Sequence, residues 1–154
     1  MIETVPVCED DDRPFLFRLF FSTREDEIAS WGFDREMAET FLLMQWRAQT
    51  QSYRSQFPAM DERIILADKE KAGRIAIDRT SREILLVDIS LLPAFRYQGI
   101  GTGILQELQR EAVQQNKTLS LSVLISNPAK RLYERLGFSV VSQDEVYARM
   151  EWCG

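Results

Sequence analysis

Three of the chain's seven glycines fall at alternate positions in the stretch Leu91-Leu92-Pro93-Ala94-Phe95-Arg96-Tyr97-Gln98-Gly99-Ile100-Gly101-Thr102-Gly103. An apolar run over residues 84–92 precedes them and a helical pattern follows, so a strand feeds a helix through a nearly bare loop. That arrangement suits an anion. Glycine lets backbone N–H groups approach a ligand without interference from Cβ, and a helix starting near Gly101 adds the positive end of its dipole. A pyrophosphate is the natural guest.

Spacing narrows the choice of pyrophosphate. The phosphate loop G-x-x-x-x-G-K-[ST] is absent, and the dinucleotide fingerprint G-x-G-x-x-G gives way to Gly99-x-Gly101-x-Gly103. What fits is R-x-x-G-x-G, with Arg96, Gly99 and Gly101 in the fixed places, Phe95 directly before them and Pro93 two residues earlier. A second stretch, Asn127-Pro128-Ala129-Lys130-Arg131-Leu132-Tyr133-Glu134-Arg135-Leu136-Gly137-Phe138, follows after one helix and one strand. Its local chemistry is that of a short helix: Asn127 suits the N-cap, Pro128 the first helical position and Gly137 the residue just past the end.

In this order the two stretches resemble the signatures of the GNAT superfamily, the acyl-CoA-dependent N-acyltransferases. The first matches its coenzyme-A-binding motif, and the second its N-x-x-A-x-x-x-Y-x-x-x-G-F pattern, with the alanine one place early at Ala129. The resemblance implies an α/β (α+β) fold: a mixed, mostly antiparallel sheet of about seven strands flanked by about four helices, with a splayed parallel strand pair that binds the cofactor. It is sharp over residues 83–138 and rests on pattern alone in the N-terminal third.

Composition sets the outer limits. A chain of 154 residues with 45% hydrophobic content is expected to form one domain over residues 1–154. Its 24 acidic residues against 19 basic ones give a net charge of -5, which speaks against nucleic acid as a partner. With no histidine, the chain offers no imidazole base, no histidine metal ligand and no Ser-His-Asp triad. Cys8 and Cys153 form no metal-binding pattern and read as free thiols. The short apolar stretch at residues 14–21 is interrupted by Arg18, and the N-terminus lacks a basic leader region, so a cytoplasmic protein with no membrane partner is expected.

In chain order, Ile2, Val5 and Val7 around Pro6 suit a first strand at a sheet edge. Asp11 and Asp12 before Pro14 mark a helix start, and Phe15, Leu16, Leu19 and Phe20 recur at helical spacing on a mostly buried first helix. Residues 30–34 break it. Asp34 caps a second helix whose apolar stripe is read as Met37, Phe41, Met44 and Ala48, ending before Pro58. Residues 63–67, 73–78 and 83–92 read as three strands joined by tight turns, and therefore antiparallel. A helix over 101–116 carries Ile104, Leu105, Leu108 and Ala112 on one face, and a strand over 119–125 then lies parallel to the central one. Residues 138–142 and 146–152 form a closing hairpin.

The resemblance also implies roles. Acetyl-CoA is the expected cofactor, with its pantetheine arm between the splayed strands, bonded by the backbone near Leu91 and Leu92. Arg96, Tyr97, Gln98, Gly99, Ile100, Gly101 and Thr102 belong to the pyrophosphate loop, and Asn127 and Lys130 lie within reach of the cofactor on the short helix. Acyl transfer needs a neutral amine and a proton for the leaving thiolate. Tyr133 is the expected general acid at the cofactor sulfur; Glu83, at the start of the central strand, and Asp88, inside it, are the candidate bases, with ordered water as the alternative. The expected partners are acyl-CoA and a primary amine, small molecule or protein, and a homodimer stays open. By the same resemblance the acceptor side comprises Trp31-Gly32-Phe33, the second helix and the loop Gln143-Asp144-Glu145. The rival reading is a non-catalytic acyl-CoA-binding or scaffolding module.

Overall fold

Three consecutive helices follow the first strand and three consecutive strands follow them; helix and strand alternate only after the fourth strand. A computed structural model describes every residue, 1–154. Strands β1 (Ile2–Pro6), β2 (Asp61–Ala67), β3 (Glu70–Arg79), β4 (Glu83–Leu91), β5 (Thr118–Leu124), β6 (Ser139–Gln143) and β7 (Tyr147–Trp152) form a seven-stranded sheet in the order β1-β2-β3-β4-β5-β7-β6. The β4–β5 pair is parallel, whereas β1–β2, β5–β7 and β6–β7 are antiparallel. Helices α1 (Glu9–Ser22), α2 (Glu25–Trp31), α3 (Arg35–Gln56), α4 (Ile100–Gln115) and α5 (Ala129–Arg135) complete the mixed fold, with a 3-10 turn at Pro93–Phe95.

The chain groups into two compact units, the first comprising Met1–Ile75 and Ser90–Arg96. Its helix α1 begins before Pro14, at Glu9, because Asp12 anchors the end: its carboxylate accepts the Cys8 N–H at 2.8 Å and the Lys71 ammonium at 2.7 Å. Four acids in that first turn also face the positive helix end. Phe15, Leu16 and Leu19 pack with Ile64 as expected for a buried aromatic helix. Asp68 and Lys69, both at positive φ (49° and 71°), make the tight β2–β3 turn. Gly73 lets β3 run close to residues 90 and 91, since a Cβ there would overlap the Ser90 carbonyl oxygen.

Helix α3 corrects the stripe read from sequence. Asp34 caps it as expected, accepting the Met37 N–H at 2.8 Å. Its inward face, however, is Ala38 and Leu42 with Trp46, packed on Phe20 and Ile28, while Met37, Phe41, Met44 and Ala48 are exposed. Two apolar stripes lie one residue apart on this helix, and the small Ala38 allows α1 the closer approach: Phe17 meets Trp46 edge-on at 5.7 Å.

The second unit comprises Ala76–Ile89 and Tyr97–Gly154. Its core is the predicted face of α4, Ile104, Leu105, Leu108 and Ala112, with Leu119 and Leu121 of β5. Gln109 reaches across to the last turn of α5, donating to the Leu136 carbonyl at 2.9 Å. Gly137, at φ 97°, ends α5 in the left-handed conformation its position called for.

Candidate active site

The parallel pair is joined over a short length only. Its register runs from Glu83↔Thr118 to Leu86↔Leu121, yet β4 continues to Leu91 and β5 to Leu124. Beyond Leu86 the two strands part, which is the splay anticipated for a cofactor-binding pair. Main-chain groups of residues 87–89 and 122–124 border the gap within the second unit.

Helix α4 begins with its donors bare. Gly99 stands at the N-cap with φ 81°, where it has no side chain to cap the helix, and no other side chain does so. The first intrahelical bond is donated by the Gly103 N–H to the Gly99 carbonyl at 3.0 Å. The N–H groups of Gly99, Ile100, Gly101 and Thr102 therefore have no intrahelical acceptor. The glycines of this loop border open space: a Cβ built on Gly99, Gly101 or Gly103 would meet nothing within 4 Å. Tyr97, at φ 61°, is fully exposed beside this loop. The donor set and the room around it fit an anionic diphosphate.

The approach to the loop, in the first unit, is self-bonded. Arg96 donates from Nε to the Leu91 carbonyl at 2.9 Å, and the Leu92 N–H donates to the Ala72 carbonyl at 2.8 Å. The structure thus gives Arg96 a bracing contact, and one lone pair of Leu91 is used within the chain.

On α5, Tyr133 is buried, its ring 5.8 Å from that of Phe138. Burial pushes its phenol up to about 12, and the Asp88 carboxylate adds to the push. Two of the three predicted catalytic residues are therefore neighbours. Glu83 is elsewhere: five residues from Asp88, roughly 16 Å along an extended strand, it pairs with Arg149 Nη2 through both carboxylate oxygens at 3.2 Å. Arg149 lies 66 residues away, and nothing near Glu83 in the sequence announces it. Asn127 accepts the Ala129 N–H at 2.9 Å from one residue outside the helix, since Pro128 and not Asn127 stands at the N-cap of α5, and Lys130 faces Glu134 at 3.4 Å one turn on. A separate cleft, lined by Gln106, Gln109, Arg110, Val113, Gln114 and Trp152, flanks the C-terminal half of α4.

Residues 25–152 match the family model of the acetyltransferase (GNAT) domain, so the chain belongs to the GNAT acetyltransferase family. Three solved structures share the fold across nearly their whole length. The PaiA N-acetyltransferase from Thermoplasma acidophilum, in complex with coenzyme A, is 19% identical over 100% of this chain and 99% of its own, with a TM-score of 0.72. An acetyltransferase from Thermus thermophilus is 18% identical over 100% and 97%, with a TM-score of 0.69. The Campylobacter jejuni N-acetyltransferase PseH, in complex with acetyl coenzyme A, is 16% identical over 99% of both chains, with a TM-score of 0.60. No curated protein matches the chain by sequence. No helix is long and apolar enough to cross a membrane.

Proposed function

We propose that this protein transfers an acetyl or short acyl group from acyl-CoA to a primary amine, with donor and acceptor bound together. The observation that carries the reading is the bare N-terminus of α4, four main-chain donors on a loop whose glycines border open space. Residues 99–102 are assigned to the diphosphate, and the gap beyond Leu86↔Leu121 to the amide-bearing arm that would pair with strand edges. Acetyl-CoA supplies an activated thioester whose thiolate is the leaving group; one structural neighbour is in complex with coenzyme A and another with acetyl coenzyme A.

Tyr133 is assigned the proton for that thiolate. A phenol near 12 is protonated throughout the neutral range, so the donor is always loaded. Passing its proton to a thiolate of ordinary pKa costs ~5 kcal/mol. That fits within the ~16 kcal/mol barrier of an enzyme turning over at about 10 per second. Asp88, next to Tyr133, is the better-placed of the two candidate bases, because the Glu83 carboxylate is committed to Arg149. Asp88 would act on the amine directly or through water.

Calorimetric titration with acetyl-CoA, followed by a scan of amine acceptors for thiol release, tests the assignment. Wild type should bind and Gly101→Glu should not, since the added carboxylate would stand before the bare donors. Failure of wild type to bind would overturn the reading. Binding without thiol release on any amine would favour the non-catalytic module.

A further inference from the structure

Residues 25–39 hold six carboxylates and one guanidinium, so this short segment carries a charge equal to the net -5 of the entire chain. Glu25, Asp26, Glu27, Asp34, Glu36 and Glu39 are all exposed. The one guanidinium, Arg35, is engaged, paired with Glu39 at 3.1 Å and set over the Phe21 ring at 5.4 Å. Within this acidic rim lies the apolar stripe that the core left uncovered: Met37, Phe41 and Met44 on α3, joined by Trp31 and Phe33. Met37 and Met44 are 54% and 66% exposed, and the three aromatic residues close to 40%, a contiguous patch on one element pair.

Ring geometry limits what covers this patch. Trp31, Phe33 and Phe41 meet edge to face with centroids 5.4 to 6.0 Å apart, in mutual contact. They leave no cage for a lone ammonium and present a solid platform instead. Charge limits it further. A second copy would set the same -5 against itself, so two-fold pairing through this face is opposed. Met37, Phe41 and Met44 sit at i, i+4 and i+7, an apolar line about 10 Å long with carboxylates beside it.

We propose that the α2–α3 face is a docking surface for a basic amphipathic polypeptide segment. Leucine-like side chains at helical spacing lie along Trp31, Phe41 and Met44, while flanking lysines or arginines meet the carboxylates of residues 25–27 and Glu36. Flexible methionines adapt to the apolar face, and the acids select the sign of its rim. Trp31, Phe33 and α3 are also the segments that the family resemblance assigns to the acceptor side, so the proposal bears on that expectation; peptide binding is read without acyl-CoA, and its failure is distinct from a failure of acyl transfer.

Anisotropy with a fluorescein-labelled 18-residue peptide of leucine and lysine at helical spacing, titrated with the full chain, provides the test. A leucine–glutamate peptide of the same pattern is the control. The lysine peptide should bind and the glutamate peptide should not. Phe41→Ser and the more exposed Met44→Ser should each weaken binding by about tenfold, with circular dichroism confirming that both variants fold. The triple variant Glu25→Gln/Asp26→Gln/Glu27→Gln should weaken it and flatten its salt dependence. Glu70→Gln/Glu107→Gln, two exposed carboxylates on β3 and α4, should leave it unchanged. Equal loss in the Glu70 and Glu107 control, binding of the glutamate peptide, or full affinity in the Phe41 and Met44 variants would overturn the proposal. So would a dimer of the unliganded chain, seen by sedimentation, that Phe41→Ser dissolves.

Discussion

Asp88 of β4 lies close enough to Tyr133 of α5 for its carboxylate to add to burial in holding the phenol protonated, up to about 12. Removing the phenol should therefore matter in two separable ways. Tyr133→Phe should lower kcat by about 100-fold with little change in acetyl-CoA affinity, the scale of a lost general acid. It should also alter alkaline stability. A group whose folded pKa is raised contributes stability that is complete below about pH 10 and is lost as pH rises toward 12. Wild type should lose about 2–3 kcal/mol more than Tyr133→Phe across that window, read by denaturant titration. Parallel curves would remove the buried-phenol account.

Glu83→Gln separates structure from catalysis. With its carboxylate tied to Arg149, we expect kcat/KM to keep its acidic limb and stability to fall by no more than about 1 kcal/mol, as for a half-exposed pair. A vanished acidic limb in the pH profile would reinstate Glu83 as the base.

The start of α1 predicts an acid response. Burial works to raise the Asp12 carboxyl, but the Lys71 ammonium and the Cys8 N–H outweigh it and hold it below the ordinary value of 3.8. This stabilisation is complete above that pH and disappears as pH falls through the lower folded value. Lys71→Met should cost about 1–3 kcal/mol at pH 7, and the deficit should shrink below pH 3.8. A deficit independent of pH would assign the loss to packing against Phe15.

Ser120 is fully buried on β5, and its hydroxyl has no hydrogen-bond partner. Ser120→Ala should leave stability unchanged or raise it by up to about 1 kcal/mol. Thermal unfolding that shows a clear decrease would reveal a partner for that hydroxyl.

Gly73→Ala should be costly in the opposite sense. Its Cβ would run into the Ser90 carbonyl, which is backbone and cannot step aside, so a loss of about 2 kcal/mol or more is expected. A change below about 0.5 kcal/mol, roughly the noise of surface substitutions, would mean that β3 and residues 90–91 can separate.

Sequence reading succeeded where the signal was local. The loop after residue 92, the cap at Asp34, the left-handed Gly137 and the inward face of α4 each follow from neighbouring residue types. It failed where distant packing decides. The choice between Ala38–Leu42 and Met37–Phe41 on α3 was settled by how near α1 could come, and the early start of α1 by a lysine 59 residues away. The partner of Glu83 was hidden for the same reason. So was the point at which β4 and β5 part, because strand pairing leaves no mark on either strand alone.

The bare start of α4 is built of main-chain N–H groups that every amino acid but proline possesses. Exchanging Ile100 or Thr102 for any residue but proline keeps the donors, whereas obstruction near Gly99 or Gly101 would silence them. Donors of this kind are nearly blind to side-chain drift. This chain keeps its fold at 16–19% identity to the three solved structures, and a donor set made of main chain asks for no particular side chain at residues 100 and 102.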